Sequence, residues 1–291
     1  VSSLWLWMLG GLGLIGLLYW LGPVNRIGPH PYYAGQGFEV IAHGAGQGLR
    51  PKNTLEAAQF SATLGADAIE LDIHATSEGI LVVRHDDTVD ATTNGSGQIR
   101  LLTLEELKRL DAGYWHSQGE AYPFREQGIR IPALEELFTA LPDARFLIEI
   151  KPDSERIAGD LCALINQFGL QSQVMVASFH DKALKAFRQT CPQVASAMTK
   201  SEITWFVLLD KIGLSHLLPV HGLAMQVPVH SGAIDVVTPS LVKAAHRRGI
   251  RVQVWTINET DEMAELIEIG VDGIVTDFPD RLIRLKGRVS G

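Results

Sequence analysis

Two stretches carry residue types that hold cations and move protons. Residues 68–87 read AIELDIHATSEGILVVRHDD. The first half alternates: Ile69, Leu71 and Ile73 face one way and Glu70, Asp72 and His74 the other, as a period-two strand requires. A turn-like Ser77-Glu78-Gly79 follows, then an apolar run at 80–83 that ends in Arg84-His85-Asp86. Pairing the runs as a hairpin with a loop at 76–79 sets Ala75 opposite Ile80, Asp72 opposite Val83 and Glu70 opposite His85. Glu70, Asp72 and His85 then share one face, an arrangement that suits a hard divalent cation beside a proton-transfer group. The second stretch is Glu149-Ile150-Lys151. Glu149 completes a three-carboxylate set with Glu70 and Asp72, suited to Mg²⁺ or Ca²⁺. Lys151, on the same face, can hold a phosphate oxygen as a point charge, or simply pair with Glu149. His43 and His85 are the candidate acid and base, since imidazole titrates near neutral pH. His74, which alternates with the acids, supports the site from behind.

These groups need a scaffold that brings distant strand ends together. After residue 37 the pattern alternates strand and helix. Strand-like runs fall at 38–43, 68–73, 145–151, 174–178, 194–198, 222–227, 251–256 and 273–276, with 80–84 as an extra hairpin strand. Asn53 caps a helix over 54–64 that stops at Gly65. Thr103 to Glu106 is a capping box. Pro132 starts a helix through 141. Thr238-Pro239 opens a helix that stops at Gly249, and Asn258 caps one that stops at Gly270. Eight strand–helix units in roughly 250 residues predict a (β/α)₈ barrel, with a doubly wound sheet as the runner-up. In a barrel, functional groups gather at the C-terminal ends of the strands, where His43, Glu70, Asp72, Glu149, Ser178, Trp255 and Asp277 all fall. Residues 111–130, with Tyr114, Trp115, Tyr122 and Phe124, read as an insertion, either a cap over the site or an ordinary loop packed by its own aromatics.

The 291 residues suffice for one large domain, and 46% hydrophobic with 20% charged residues describes a folded chain. A net charge of −8 excludes a general nucleic-acid binder. Cys162 and Cys191 show no zinc spacing and read as two reduced structural thiols. The run 4–21, LWLWMLGGLGLIGLLYWL, has 18 residues without a charge and aromatic residues near both ends. It predicts a single-pass transmembrane anchor over 1–22, then a juxtamembrane linker over 23–37 and a barrel domain over 38–291. The first basic residue, Arg26, follows the span, which places the catalytic domain on the cytoplasmic side.

Glu70-Leu71-Asp72, twelve further residues and His85 form a spaced motif. With His43, Pro51-Lys52-Asn53-Thr54, Glu149-Ile150-Lys151, Val254-Trp255-Thr256-Ile257-Asn258 and Val275-Thr276-Asp277-Phe278-Pro279, it resembles the glycerophosphodiester phosphodiesterase family over about four-fifths of the chain. The run 124–132 resembles the membrane-anchored branch, some of whose members act on lysophospholipids. The resemblance implies a barrel with a metal-dependent site: metal at Glu70, Asp72 and Glu149, acid–base roles for His43 and His85, and phosphate contact by Lys151. Trp255 stacks on substrate or fills the barrel mouth. Two residues depart from the pattern. Gly44 stands at a phosphate-binding position where the family usually has arginine, and Lys52 replaces a glutamate. Arg50, Lys52 or Arg84 could supply the missing charge. The expected reaction is hydrolysis of a glycerophosphodiester to glycerol 3-phosphate and an alcohol. The alternatives are lysophospholipase D activity on lysophospholipids and a non-catalytic, membrane-anchored phospholipid-binding barrel.

Overall fold

The computed structural model describes residues 21–289. The strands are β1 (Glu39–Ala42), β2 (Ala68–Ala75), β3 (Leu81–Val83), β4 (Phe146–Ile150), β5 (Val174–Ala177), β6 (Ala195–Ser196), β7 (Ala224–Val227), β8 (His230–Ser231), β9 (Ile234–Asp235), β10 (Arg251–Val254) and β11 (Gly273–Thr276). The helices are α1 (Leu55–Leu64), α2 (Leu104–Lys108), α3 (Leu134–Ala140), α4 (Glu155–Phe168), α5 (Asp181–Thr190), α6 (Lys200–Asp210), α7 (Pro239–Arg247), α8 (Thr260–Ile269) and α9 (Pro279–Val289).

Eight strands run parallel in the order β6-β5-β4-β2-β1-β11-β10-β7. A parallel bridge between Ala197 and Ala224 joins the two ends. Met198 N–H donates to Ala224 O at 2.7 Å and Leu223 N–H to Ser196 O at 2.8 Å, so the sheet curls into a barrel rather than an open doubly wound sheet. Gly222 permits this closure, because a Cβ there would lie 2.2 Å from Met198 N. The strands are short apolar runs buried on both faces, as a sheet lined inside and covered outside requires. Thr54, Ser154, Thr199 and Thr238 each cap a helix by accepting a backbone N–H.

Period two decides what the interior contains. The inward column of each strand can be read upward: Glu39, Ile41, His43; Ala68, Glu70, Asp72; Arg145, Leu147, Glu149, Lys151; Arg251, Gln253, Trp255; Gly273, Val275, Asp277. The lowest layer is polar: Arg145 pairs with buried Glu39 at 2.6 Å, and Gln253 donates to Glu39 at 3.0 Å. The middle layer is small and apolar, with Ile41, Ala68, Leu147, Met175, Ala195, Ala224 and Val275. The top layer holds His43, Asp72, Glu149, Lys151, Trp255 and Asp277.

Several expectations are corrected. The segment expected to be a juxtamembrane linker is built into the barrel floor. Tyr32 is 1% exposed, and Asn25 bonds Val220 in both directions and receives Arg248. The expected single-pass membrane placement, with a cytoplasmic catalytic domain, is overturned. Among the described residues no helix is long and apolar enough to cross a membrane. The longest, α4, has 14 residues. That is about 21 Å of helix against a hydrocarbon core of about 30 Å. Nearly all of the apolar run 4–21 lies outside the described residues. The cysteines are not reduced thiols: Cys162 on α4 and Cys191 at the end of α5 form a disulfide, with Cα atoms 5.6 Å apart. Twenty-nine residues separate them in sequence, but packing of α4 on α5 makes them neighbours.

The hairpin is also offset by one residue. Thr76 N–H donates to Ile80 O, so the connection closes later and pairs Ala75 with Leu81 and Ile73 with Val83. His85 therefore does not sit opposite Glu70 in the ladder. It follows β3 on a loop.

Reducing the Cys162–Cys191 bridge, or replacing both residues with serine, is expected to lower unfolding stability by about 3–4 kcal/mol, the loop entropy for this span. Denaturant unfolding with and without reductant measures it; coincident curves would show that the bridge adds nothing.

Candidate active site

The parallel pairing of β2 with β4 sets Asp72 beside Glu149, and Glu70 lies two residues before Asp72 on the same inward face. One oxygen from each of Glu70, Asp72 and Glu149 lies within 4.8 Å of the others. Lys151 reaches into the cluster, 3.1 Å from Glu149 Oε1 and 3.5 Å from Asp72 Oδ1. Asn53 Nδ2 donates to Asp72 Oδ2 at 2.8 Å, and Gly44 N–H donates to Glu70 Oε2 at 2.6 Å. These contacts aim the acids without neutralising them. Burial, then the charge of Asp72, pushes the Glu70 carboxyl up to about 8, against the pull of His43 and the Gly44 N–H. Burial likewise raises Glu149, although Lys151 opposes it. A crowded, buried set of hard oxygen donors with one lysine as counter-charge fits a divalent cation.

Each candidate histidine is held by an aspartate through the same nitrogen. His43 Nδ1 lies 2.6 Å from Asp277 Oδ1, and His85 Nδ1 lies 2.7 Å from Asp86 Oδ1. Donation from Nδ1–H leaves Nε2 as the nitrogen available to substrate. Asp277 is fixed in turn: Gln47 donates to Oδ1 at 2.8 Å and Asn258 to Oδ2 at 2.8 Å. Burial lowers the His43 pKa, but the hydrogen bond to Asp277 and the charges of Glu70, Asp277 and Asp72 outweigh it, and the net shift is upward. Burial raises the Asp86 carboxyl, while the His85 bond and charge, then Lys52 and Arg84, hold it below its usual range. His74 Nε2–H donates to His85 O at 3.1 Å, which fixes the loop that carries His85.

His43, Glu70, Asp72, His85, Glu149, Lys151 and Trp255 all line one cavity of about 570 Å³. Its opposite wall is apolar: Met198, Ile203, Val207 and Leu208 from the β6–α6 region, and Pro228, Ile234 and Val236 around the β8–β9 hairpin. Trp255 stands edge-on to Phe179, with ring centres 5.8 Å apart. No residue of 111–130 lines the cavity. That segment stacks Tyr114 and Tyr122 around the Arg125 guanidinium, at 4.1 and 4.2 Å, so it packs on itself rather than capping the site. Gly44 does not line the cavity either; its backbone serves Glu70.

The Glycerophosphoryl diester phosphodiesterase family matches residues 43–281. The chain belongs to this family. It is on that footing an enzyme, a phosphoric diester hydrolase. It is similar to a glycerophosphodiester phosphodiesterase of Caldanaerobacter subterraneus subsp. tengcongensis, 36% identical over 84% of this chain and 96% of that protein. It is also similar to glycerophosphodiester phosphodiesterase 1 of Mus musculus, 31% identical over 77% of this chain and 72% of that one. Among solved structures, a glycerophosphodiester phosphodiesterase from Agrobacterium tumefaciens superposes with a TM-score of 0.70 at 25% identity, over 85% of this chain and 99% of the other.

Within this family frame, sequence reasoning missed the residues that hold the candidate groups. Asn53 and Asn258 both precede helices and read as caps. Thr54 caps α1 instead, and Glu259 occupies the cap position of α8. Asn53 takes a positive φ of 57° and turns its amide back onto Asp72, while Asn258 turns onto Asp277. Asp277 was visible at the end of a strand, and Asp86 beside His85; the missing signal was that each points at an imidazole.

Asp277→Asn should lower the His43 pKa, because it removes the carboxylate that favours the imidazolium. Turnover should fall by roughly 10²–10⁴, the range for general acid–base loss and for a mis-set tautomer. Histidine NMR titration and steady-state kinetics read the two effects; an unshifted titration would remove Asp277 as the support of His43.

Proposed function

We propose that this chain hydrolyses glycerophosphodiesters to glycerol 3-phosphate and an alcohol, with a divalent cation, Mg²⁺ or Ca²⁺, held by Glu70, Asp72 and Glu149. The observation that carries this reading is the convergence of three carboxylates and two His–Asp pairs on one cavity, in a chain of this family. When bound, such a cation supplies charge neutralisation and polarisation of the phosphate.

The chain's own groups supply the rest. One imidazole Nε2 takes the proton from the attacking oxygen, which is a water or, alternatively, the glycerol 2-hydroxyl. In the latter case a water then opens the resulting cyclic phosphate to glycerol 3-phosphate, with the two imidazoles exchanging roles. The other Nε2 delivers a proton to the departing alcohol oxygen. The Asp277 and Asp86 carboxylates hold the rings oriented through the transfer. Lys151 balances the acids and offers an N–H to a phosphate oxygen. Trp255 and Phe179 form the side wall against which the organic part of the substrate lies. A non-catalytic barrel would leave both His–Asp pairs without a purpose.

The apolar wall formed by Ile203, Val207, Leu208 and Ile234 supports lysophospholipids as a second substrate class. Glycerophosphodiesters stand first, because they are what the names of the similar enzymes state.

Incubation with glycerophosphocholine and glycerophosphoethanolamine plus Mg²⁺ or Ca²⁺ should release glycerol 3-phosphate. A chelator should stop the reaction, and His43→Ala or His85→Ala should each reduce it at least roughly 10²-fold. No release under any metal condition would refute the reading. A lysophospholipid arm in the same panel orders the two substrate classes.

A further inference from the structure

A phosphodiester brings a negative charge into a cavity whose charged floor is already acidic. Besides the divalent cation proposed above, a side-chain cation can meet it with a directed hydrogen bond. Lys151 is engaged by Glu149 and Asp72. Arg50 is stacked on the Phe60 ring at 3.7 Å and faces Phe124 at 5.4 Å. Arg84 is enclosed by the protein, 2% exposed. Lys200 lines the cavity at the first turn of α6, on the helix that carries Ile203 and Val207.

Lys52 is different. Gly44 lies at φ 50°, and a Cβ built on it would meet Lys52 Cγ at 3.1 Å and Cε at 3.5 Å. The lysine stem therefore lies across the space that a side chain at position 44 would need. This placement is built in. Asn53 N–H donates to Gly44 O at 2.9 Å, and the Asn53 amide bonds Asp72, so the loop that carries Lys52 is tied to both His43-Gly44 and the acid cluster. On the other side the ammonium acts on Asp86, the partner of His85. Lys52 is half-buried and forms no ion pair among the described residues. Lys52 does not itself line the cavity. Turning it inward is a rotamer change that breaks no salt bridge.

We propose that Lys52 is a second side-chain cation for the phosphate, beside Lys151, its stem laid over Gly44 and its ammonium delivered to a substrate phosphate oxygen between His43 and His85. The proposal rests on the hydrolase reading above. Glycine at position 44 and lysine at position 52 then form a matched pair: the first leaves the room that the second fills. Arginine at position 52 would keep the charge, whereas methionine would keep the stem and lose it.

The test compares wild type with Lys52→Met and Lys52→Arg. Lys52→Met should raise both KM for glycerophosphocholine and the inhibition constant of inorganic phosphate by about 10-fold or more, the loss expected for one charge-assisted contact. It should flatten the dependence of KM on ionic strength and leave the unfolding midpoint unchanged. Lys52→Arg should restore most of the loss. An active Lys52→Met enzyme with unchanged KM and phosphate inhibition would overturn the proposal. Calorimetric titration of both proteins with inorganic phosphate separates the two readings. If wild type is inactive, the hydrolase reading fails, while equal phosphate affinity in both proteins would independently sink the role of Lys52. Lys52→Gln asks the same question if the methionine variant fails to fold.

Discussion

Mutual repulsion among three crowded carboxylates, two buried and one half-buried, is the constraint around which the molecule is arranged. Glu70, Asp72 and Glu149 are forced within 4.8 Å by the parallel register of two neighbouring strands. Nothing in the local packing relieves that crowding fully. Lys151 answers part of it, and the Gly44 N–H and the Asn53 amide direct the lone pairs. The remainder appears as an upward shift of the Glu70 carboxyl, to about 8. A fold tolerates such a charge defect when a ligand removes it, because an unpaired buried charge is expensive. The two imidazoles are set on either side of that defect, each with its own aspartate.

The barrel makes the defect affordable by separating functions into layers. Its lower interior is stitched by Glu39, Arg145, Gln253 and the tyrosines at 32 and 33. Its middle is small and dry. The helices outside bury two large apolar clusters, one around α1, α3, α4 and α5, the other around α6 to α9. The disulfide between α4 and the end of α5 reinforces the first. The strained chemistry is therefore confined to the top, where loops can adapt without disturbing the core.

Much of this was legible in the chain because inward residues recur every second position. That one rule places Glu70 with Asp72 and Glu149 with Lys151, and the barrel order then brings the two strands side by side. What escaped reading depends on long-range geometry. His85 lies beyond a turn whose length shifted the hairpin by one residue. Asn53 and Asn258 obey the local grammar of caps while serving carboxylates about 20 residues away. Two cysteines on neighbouring helices look unrelated until the helices pack. The apolar wall comes from α6 and the β8–β9 hairpin, whereas the aromatic-rich segment 111–130, which advertised itself as a cap, satisfies its rings on its own arginine.

Diffraction from crystals soaked in Mn²⁺, with anomalous differences recorded at the manganese edge, addresses the organising constraint directly. The account predicts one strong peak among the carboxylates of Glu70, Asp72 and Glu149, lost in Glu149→Gln. Absence of a peak there at saturating metal, with Lys151 still bridging Glu149 and Asp72, would contradict it.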